Sequence, residues 1–106
     1  MAVIILPQAQ DDLLSLQEYM LDKWSEADWL QAEEEIFEKL DLVDTGFLTG
    51  APVRELASVG IFDYQHVFTS HHKLVYRRVD SDVYVYAIAA HRQDFQTLLL
   101  KRLLKS

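Results

Sequence analysis

Near residue 50 the hydrophobic period of this chain changes, and few folds accommodate such a change. Upstream, apolar residues recur every three or four positions, the spacing of one helix face. Downstream they alternate, the spacing of one sheet face. Residues 2–6, Ala-Val-Ile-Ile-Leu, are short, β-branched and apolar, and read as a strand. Pro7 suits the first turn of a helix, and Asp11 and Asp12 suit its electropositive end. Ala9, Leu13, Leu16, Met20 and Trp24 then form a helical core stripe, widened by Leu14 and Leu21. Ser25-Glu26-Ala27-Asp28 resembles a capping box, with Asp28 in place of Glu, and predicts a second helix. Trp29, Ala32, Ile36, Leu40 and Val43 make its buried stripe, with Leu30 and Phe37 beside them. Glu34, Glu35, Glu38 and Asp41 fall on its solvated side, and Thr45-Gly46 predicts its end. Helices joined this closely must fold back as an antiparallel hairpin.

Beyond the loop from Thr45 to Pro52, Val53-Arg54-Glu55-Leu56 reads as a short extended piece. Residues 64–70, 73–79 and 83–90 read as strands. The connections at Ser70-His71-His72 and Asp80-Ser81-Asp82 are too short for parallel crossovers, so these strands pair antiparallel. The last strand is apolar on both faces and is expected to be central. Strict alternation sorts Val83, Val85, Ala87 and Ala89 from Tyr84, Tyr86, Ile88 and Ala90. Phe95, Leu98, Leu99 and Leu103 mark a final amphipathic helix. The expected fold is α+β and two-layered: an N-terminal strand, an α-helical hairpin packed on an antiparallel β-sheet, and a short C-terminal helix. Residues 1–106 are expected to form a single domain.

The absence of Cys excludes a disulfide scaffold, a thiolate metal site and a thiol nucleophile. The longest near-apolar run, Val83 to Ala90, is too short to span a membrane, and the N-terminus has no basic, cleavable leader pattern. A cytoplasmic location is the expectation. The net charge of −7 is unevenly distributed. Residues 1–50 carry two Lys against twelve acids, a net of −10, whereas residues 51–106 carry eight Lys and Arg against five acids, a net of +3. Bulk charge of this sign opposes non-specific nucleic-acid binding, while the basic rear half allows a local anionic contact.

Chemistry-bearing patterns are sparse. The three glycines are isolated, so no phosphate loop exists, and no Ser sits in a Gly-x-Ser-x-Gly elbow. His66, His71, His72 and His91 lack chelating helical spacing, and neither a metal nor a cofactor is expected. Arg54, Arg77, Arg78, His91 and Arg92 could gather at one sheet end. There, cations could hold phosphate and an imidazole could move a proton. The plainer alternative pairs Arg54 and Arg92 with Glu55 or Asp94 to fix the loop and last helix. Tyr76, Tyr84 and Tyr86 fit core and cross-strand packing.

The order of elements and several anchors resemble the ParE branch of the RelE/ParE toxin superfamily. The anchors are Ala9-x-x-Asp12-Leu13 with Tyr19 on the first helix, Arg54-Glu55-Leu56 after the loop, and Tyr76-Arg77 on a strand. Val83 to Ile88, His91-Arg92-Gln93-Asp94, and Leu98 to Leu103 with Arg102 complete the set, which covers nearly the whole chain. The chain departs from the family pattern at Gln65, where an Arg usually follows the Tyr, and in its acidic balance. The resemblance implies a toxin of a type II toxin–antitoxin module. Such a toxin inhibits DNA gyrase by protein–protein contact and is neutralised by a cognate antitoxin. Arg92, Lys101, Arg102 and Lys105 are then the expected target contacts, and Leu98, Leu99 and Leu103 the expected antitoxin contacts. The RelE-type alternative, a ribosome-dependent mRNA endoribonuclease, would use Arg54 and Arg77 on phosphate and His91 as acid or base. A non-toxic binding domain is the third possibility, with the acidic hairpin meeting a basic partner.

Overall fold

Pro7 sets the first turn of α1 (Pro7–Lys23), which follows the short strand β1 (Val3–Ile5) after a single residue. A computed structural model describes residues 2–91, 97–99 and 101–102 of the chain. Ser25 caps α2 (Glu26–Thr45): its Oγ accepts from the Asp28 N–H at 3.1 Å and donates to the Asp28 carboxylate at 2.9 Å. Half of the expected capping box is therefore built. Gly46 ends α2 at φ +85°, a conformation that a Cβ would penalise. Trp24, expected in the core stripe, lies in the turn between the helices and is 52% exposed, its ring edge-on to His71. A helix that stops at Lys23 no longer extends the periodicity to residue 24.

The chain then forms β2 (Ala51–Pro52), α3 (Arg54–Ala57), β3 (Tyr64–Phe68), β4 (His72–Val79) and β5 (Asp82–Ala90). Residues 97–99 and 101–102 are helical. One sheet holds all five strands in the order β1-β5-β4-β3-β2. Its pairs are antiparallel except β1 with β5, which run parallel with Val3 opposite Val83. The intervening hairpin and strands supply the long connection that parallel pairing needs. Residues 53–56, expected to be extended, form α3 instead. The Val53 N–H still pairs with Tyr64 O, but Val53 O accepts from Ala57 at 2.9 Å. Arg, Glu, Leu and Ala all favour helix, and four residues are too few for periodicity to reveal it.

Strand β5 also departs from strict alternation. Val75 pairs with Ala87 but Tyr76 pairs with Val85, so Tyr86 is an extra residue, a β-bulge. The bulge exchanges the faces beyond it. Val83, Val85 and Ile88 pack with the hairpin residues Ala9, Leu16, Met20, Trp29, Ile36 and Leu40. Ala87 and Ala89 instead share the far face with Val53, Leu56, Val75 and Leu99. The sheet is thus covered on both sides, by the hairpin on one and by α3 and the C-terminal helical residues on the other.

Candidate functional site

The most constrained polar cluster is built where β1 ends and leaves the edge of β5 uncovered. Leu6 N–H makes the last bond of that ladder, to Val85 O at 3.1 Å. Beyond it the bulge turns Ile88 N–H and Tyr86 O outward without a strand to receive them. Asp12, on the flank of α1, accepts from Ile88 N–H at 3.0 Å. Arg102 donates to Tyr86 O at 3.0 Å and to the Asp12 carboxylate at 2.7 Å, its second nitrogen reaching the other carboxylate oxygen. Both side chains are 12% exposed. A bidentate ion pair therefore stands in for a continuation of β1 and ties the C-terminal helix to α1. Leu99, wholly buried beside Val53, Leu56 and Val75, fixes the same helix on the sheet.

The opposite end of the sheet carries the histidines. Thr69, Ser70 and His71 join β3 to β4, and Glu35 of α2 holds this turn by accepting from Ser70 N–H at 2.8 Å. His71, His72 and His91 line a cleft of about 250 Å³ together with Leu16, Tyr19 and Trp24. His91 Nε2 lies 2.9 Å from Thr69 O; a carbonyl only accepts, so that nitrogen carries the hydrogen. Its ring stacks on Phe68. Burial, and then the neighbouring His71 and His91, lower the His72 pKa from 6.5 to about 4, with Glu35 opposing weakly. His72 is therefore neutral at pH 7. Among the described residues no three His, Asp or Glu side chains converge as metal ligands.

The residues expected to form a phosphate-cleaving set are not gathered. Arg77 sits opposite both Tyr64 and Tyr84. Arg54 is at that same end, since Val53 is bonded to Tyr64. His91 follows Ala90, which pairs with His72 at the start of β4. Five residues of strand separate the levels of His72 and Arg77, or about 17 Å at ~3.4 Å per residue. The register therefore holds Arg54 and Arg77 at the end of the sheet away from His91. Arg78, also expected there, donates instead to Val43 O on α2.

Lys101 is exposed, whereas Arg102, expected to face a target, is engaged with Asp12. Leu98 is half-buried, and Leu99 points into the core instead of offering a surface. Arg92, Leu103 and Lys105 lie outside the described residues, as do Phe95 and Asp94. The sequence reading missed the role of Asp12 as a clamp. A signal existed: Asp12 lies three residues after Ala9 and four before Leu16, an acid at core spacing.

A helical hairpin on a mixed five-stranded sheet, with a short terminal helix pinned across a bulge, makes the chain a small two-layered α+β domain. A solved structure described as the chromosomal ParDE TA system from P. aeruginosa has this fold, with a TM-score of 0.68 at 13% identity. The match covers 85% of this chain and 95% of that one. The family model for the ParE toxin of the type II toxin-antitoxin system, parDE, matches residues 3–95, and the chain belongs to that family. The sequence matches no curated protein.

Proposed function

We propose that this chain is the toxin of a type II toxin–antitoxin module, acting in the cytoplasm. On this reading it inhibits DNA gyrase by protein–protein contact and is silenced by a cognate antitoxin. Family membership over residues 3–95 supports the module. The observation that favours a contact inhibitor over a nuclease is the separation of Arg54 and Arg77 from His91 along β4. Acid–base cleavage of RNA needs those groups around one phosphate. Among the expected target contacts, Lys101 is exposed on the C-terminal helix. Lys105 and Arg92 extend that cationic segment in sequence. Leu98 and Leu103 are the proposed antitoxin contacts, with Leu99 available only if the helix lifts from the sheet.

The test is expression without an antitoxin, scored by growth, DNA cleavage in a purified gyrase assay, and mRNA integrity. Linearised DNA with intact mRNA is expected. The double variant Lys101→Glu, Lys105→Glu should lose gyrase inhibition while melting like the parent chain. Deleting the helix is a poor substitute, because it removes Leu99 and Arg102 from the fold. Ribosome-bound mRNA cut while DNA stays intact would overturn the reading, as would unimpaired growth.

A further inference from the structure

Near the β4–β5 turn, part of the sheet's far face is left open as a cleft of about 280 Å³. Its lining is Leu6, Tyr64, Arg77, Val79, Tyr84 and Tyr86. The register puts Tyr64, Arg77 and Tyr84 in one row across β3, β4 and β5. Residues paired in this way share a face, so Arg77 has a tyrosine on either side. Tyr86, the bulged residue, reaches across β4 to Tyr64, with ring centroids 5.0 Å apart and planes inclined at 48°. We propose that this cleft binds a small aromatic monocarboxylate, its ring against the tyrosines and its carboxylate on Arg77. The proposal does not depend on the toxin reading.

Size and wall chemistry select the ring. An engineered cavity of about 150 Å³ takes up benzene, so this cleft has room for a bicyclic aromatic. Tyrosine rings attract another ring edge-on or offset, and Leu6 and Val79 add apolar contact. A guanidinium holds a carboxylate by two parallel N–H bonds.

Charge limits the ligand to one negative group. Among the described lining residues only Arg77 is charged. The other cations of the sheet are engaged or distant. Arg102 is bonded to Asp12 and Tyr86 O, and Arg78 to Val43 O. Lys73 lies four residues back along β4, about 14 Å at ~3.4 Å per residue, over the Phe68 ring. Arg54 is at this end of the sheet but outside the lining. Asp63 precedes Tyr64, and Asp82 pairs with Val79. A phosphate dianion would therefore meet one cation between two acids, whereas a carboxylate is balanced by Arg77. An uncharged ring would cover the guanidinium without pairing it, at a cost in desolvation.

Naphthoate is the probe, titrated into the isotope-labelled full chain and followed by amide NMR shifts. The shifts should centre on Tyr64, Arg77, Tyr84 and Tyr86 and saturate at millimolar naphthoate or below. Naphthamide keeps the ring and loses the charge; cyclohexanecarboxylate keeps the charge and loses the aromatic face. Each should bind at least about tenfold more weakly than naphthoate. Naphthyl phosphate should bind no tighter than naphthoate. Added salt should weaken naphthoate and leave naphthamide unchanged. Arg77→Gln should bring naphthoate down to the affinity of naphthamide. Arg77→Lys keeps the charge, loses the fork and should retain part of the difference. Tyr84→Leu should narrow the preference for naphthoate over cyclohexanecarboxylate. Position 77 is exposed, so both Arg77 variants should melt like the parent chain by circular dichroism. Equal binding of naphthoate and naphthamide, or undiminished naphthoate binding by Arg77→Gln, would overturn the proposal. Tighter binding of naphthyl phosphate would do the same, since the cleft would then suit a phosphorylated ligand. So would shifts centred away from the β4–β5 turn, or no saturation at millimolar concentration.

Discussion

Replacing Arg102 by Ala, Asp12 by Ala, and both together measures how strongly the clamp holds the C-terminal helix. Each side chain is 12% exposed, so solvent screening is slight. Removing one partner of a buried pair costs about 3–5 kcal/mol, because the other charge stays buried and unpaired. Arg102→Ala leaves Asp12 its bond from Ile88 N–H, which places it at the low end, about 3 kcal/mol. Asp12→Ala strips both Arg102 and Ile88 N–H of their acceptor, and the orphaned amide adds about 1 kcal/mol. The double variant leaves no unpaired charge and should cost no more than about 4 kcal/mol. The expected coupling is therefore about 3 kcal/mol, far above the error of a mutant cycle. In a domain of this size about 1 kcal/mol moves the Tm by roughly 4 °C, so Arg102→Ala should melt about 12 °C lower. Urea titrations of the four proteins, with equal m values, give the free energies directly. Lys101→Ala, at the exposed neighbour, should stay within about 0.5 kcal/mol of the parent. Additive single costs, to within about 0.5 kcal/mol, would refute the clamp.

The remaining expectations concern other parts of the sheet. The His72 pKa is lowered to about 4, and the unfolded chain binds that proton near about 6.5. Between those values the unfolded state holds more protons, so stability is full above about pH 6.5 and falls as the pH drops toward 4. The loss reaches at most about 3 kcal/mol, and His72→Leu should flatten it in urea titrations across that range. Gly50 leaves room for a close approach: an added Cβ would lie 2.5 Å from His66 O and 2.9 Å from the Tyr76 hydroxyl. Backbone cannot yield there as a flexible side chain would, so Gly50→Ala should cost about 2 kcal/mol by thermal melting. Tyr76→Phe should cost about 1 kcal/mol, since the Tyr76 hydroxyl accepts from Gly50 N–H at 2.8 Å.

Long periodic segments were legible and short or local irregularities were not. The stripe Trp29, Ala32, Ile36, Leu40, Val43 spans four turns, and all five residues are buried. Both ends of α2 were readable because Ser25 and Gly46 act through their own chemistry, a side-chain acceptor and a left-handed backbone. The residues of α3 make only one turn, which no period can distinguish from an extended piece. The bulge at Tyr86 was hidden for a different reason. Val83 to Ala90 is apolar on both faces, so inserting one residue exchanges the faces without exposing a polar side chain. A strand with one wet face would have betrayed the shift as a misplaced charge. The parallel pairing of β1 was equally silent, because three apolar residues carry no mark of direction.

The functional residues failed to declare themselves for a reason that also dictates how to test them. Lys101 and Arg102 are adjacent cations on one helix, and nothing local says which is free. The distinction is made by Asp12, ninety residues away in sequence. Charge loss at position 102 therefore confounds a target contact with an undocked helix. Arg102→Lys separates the two, because it keeps the charge and loses the fork. One ammonium cannot reach both Asp12 oxygens and Tyr86 O as the guanidinium does. If Arg102 serves only as the clamp, Arg102→Lys should lose most of the stability that Arg102→Ala loses, about 2 kcal/mol or more, and growth inhibition should fall in step with it. A variant that melts like the Ala substitution yet inhibits growth like the parent would show that the cation itself meets the target.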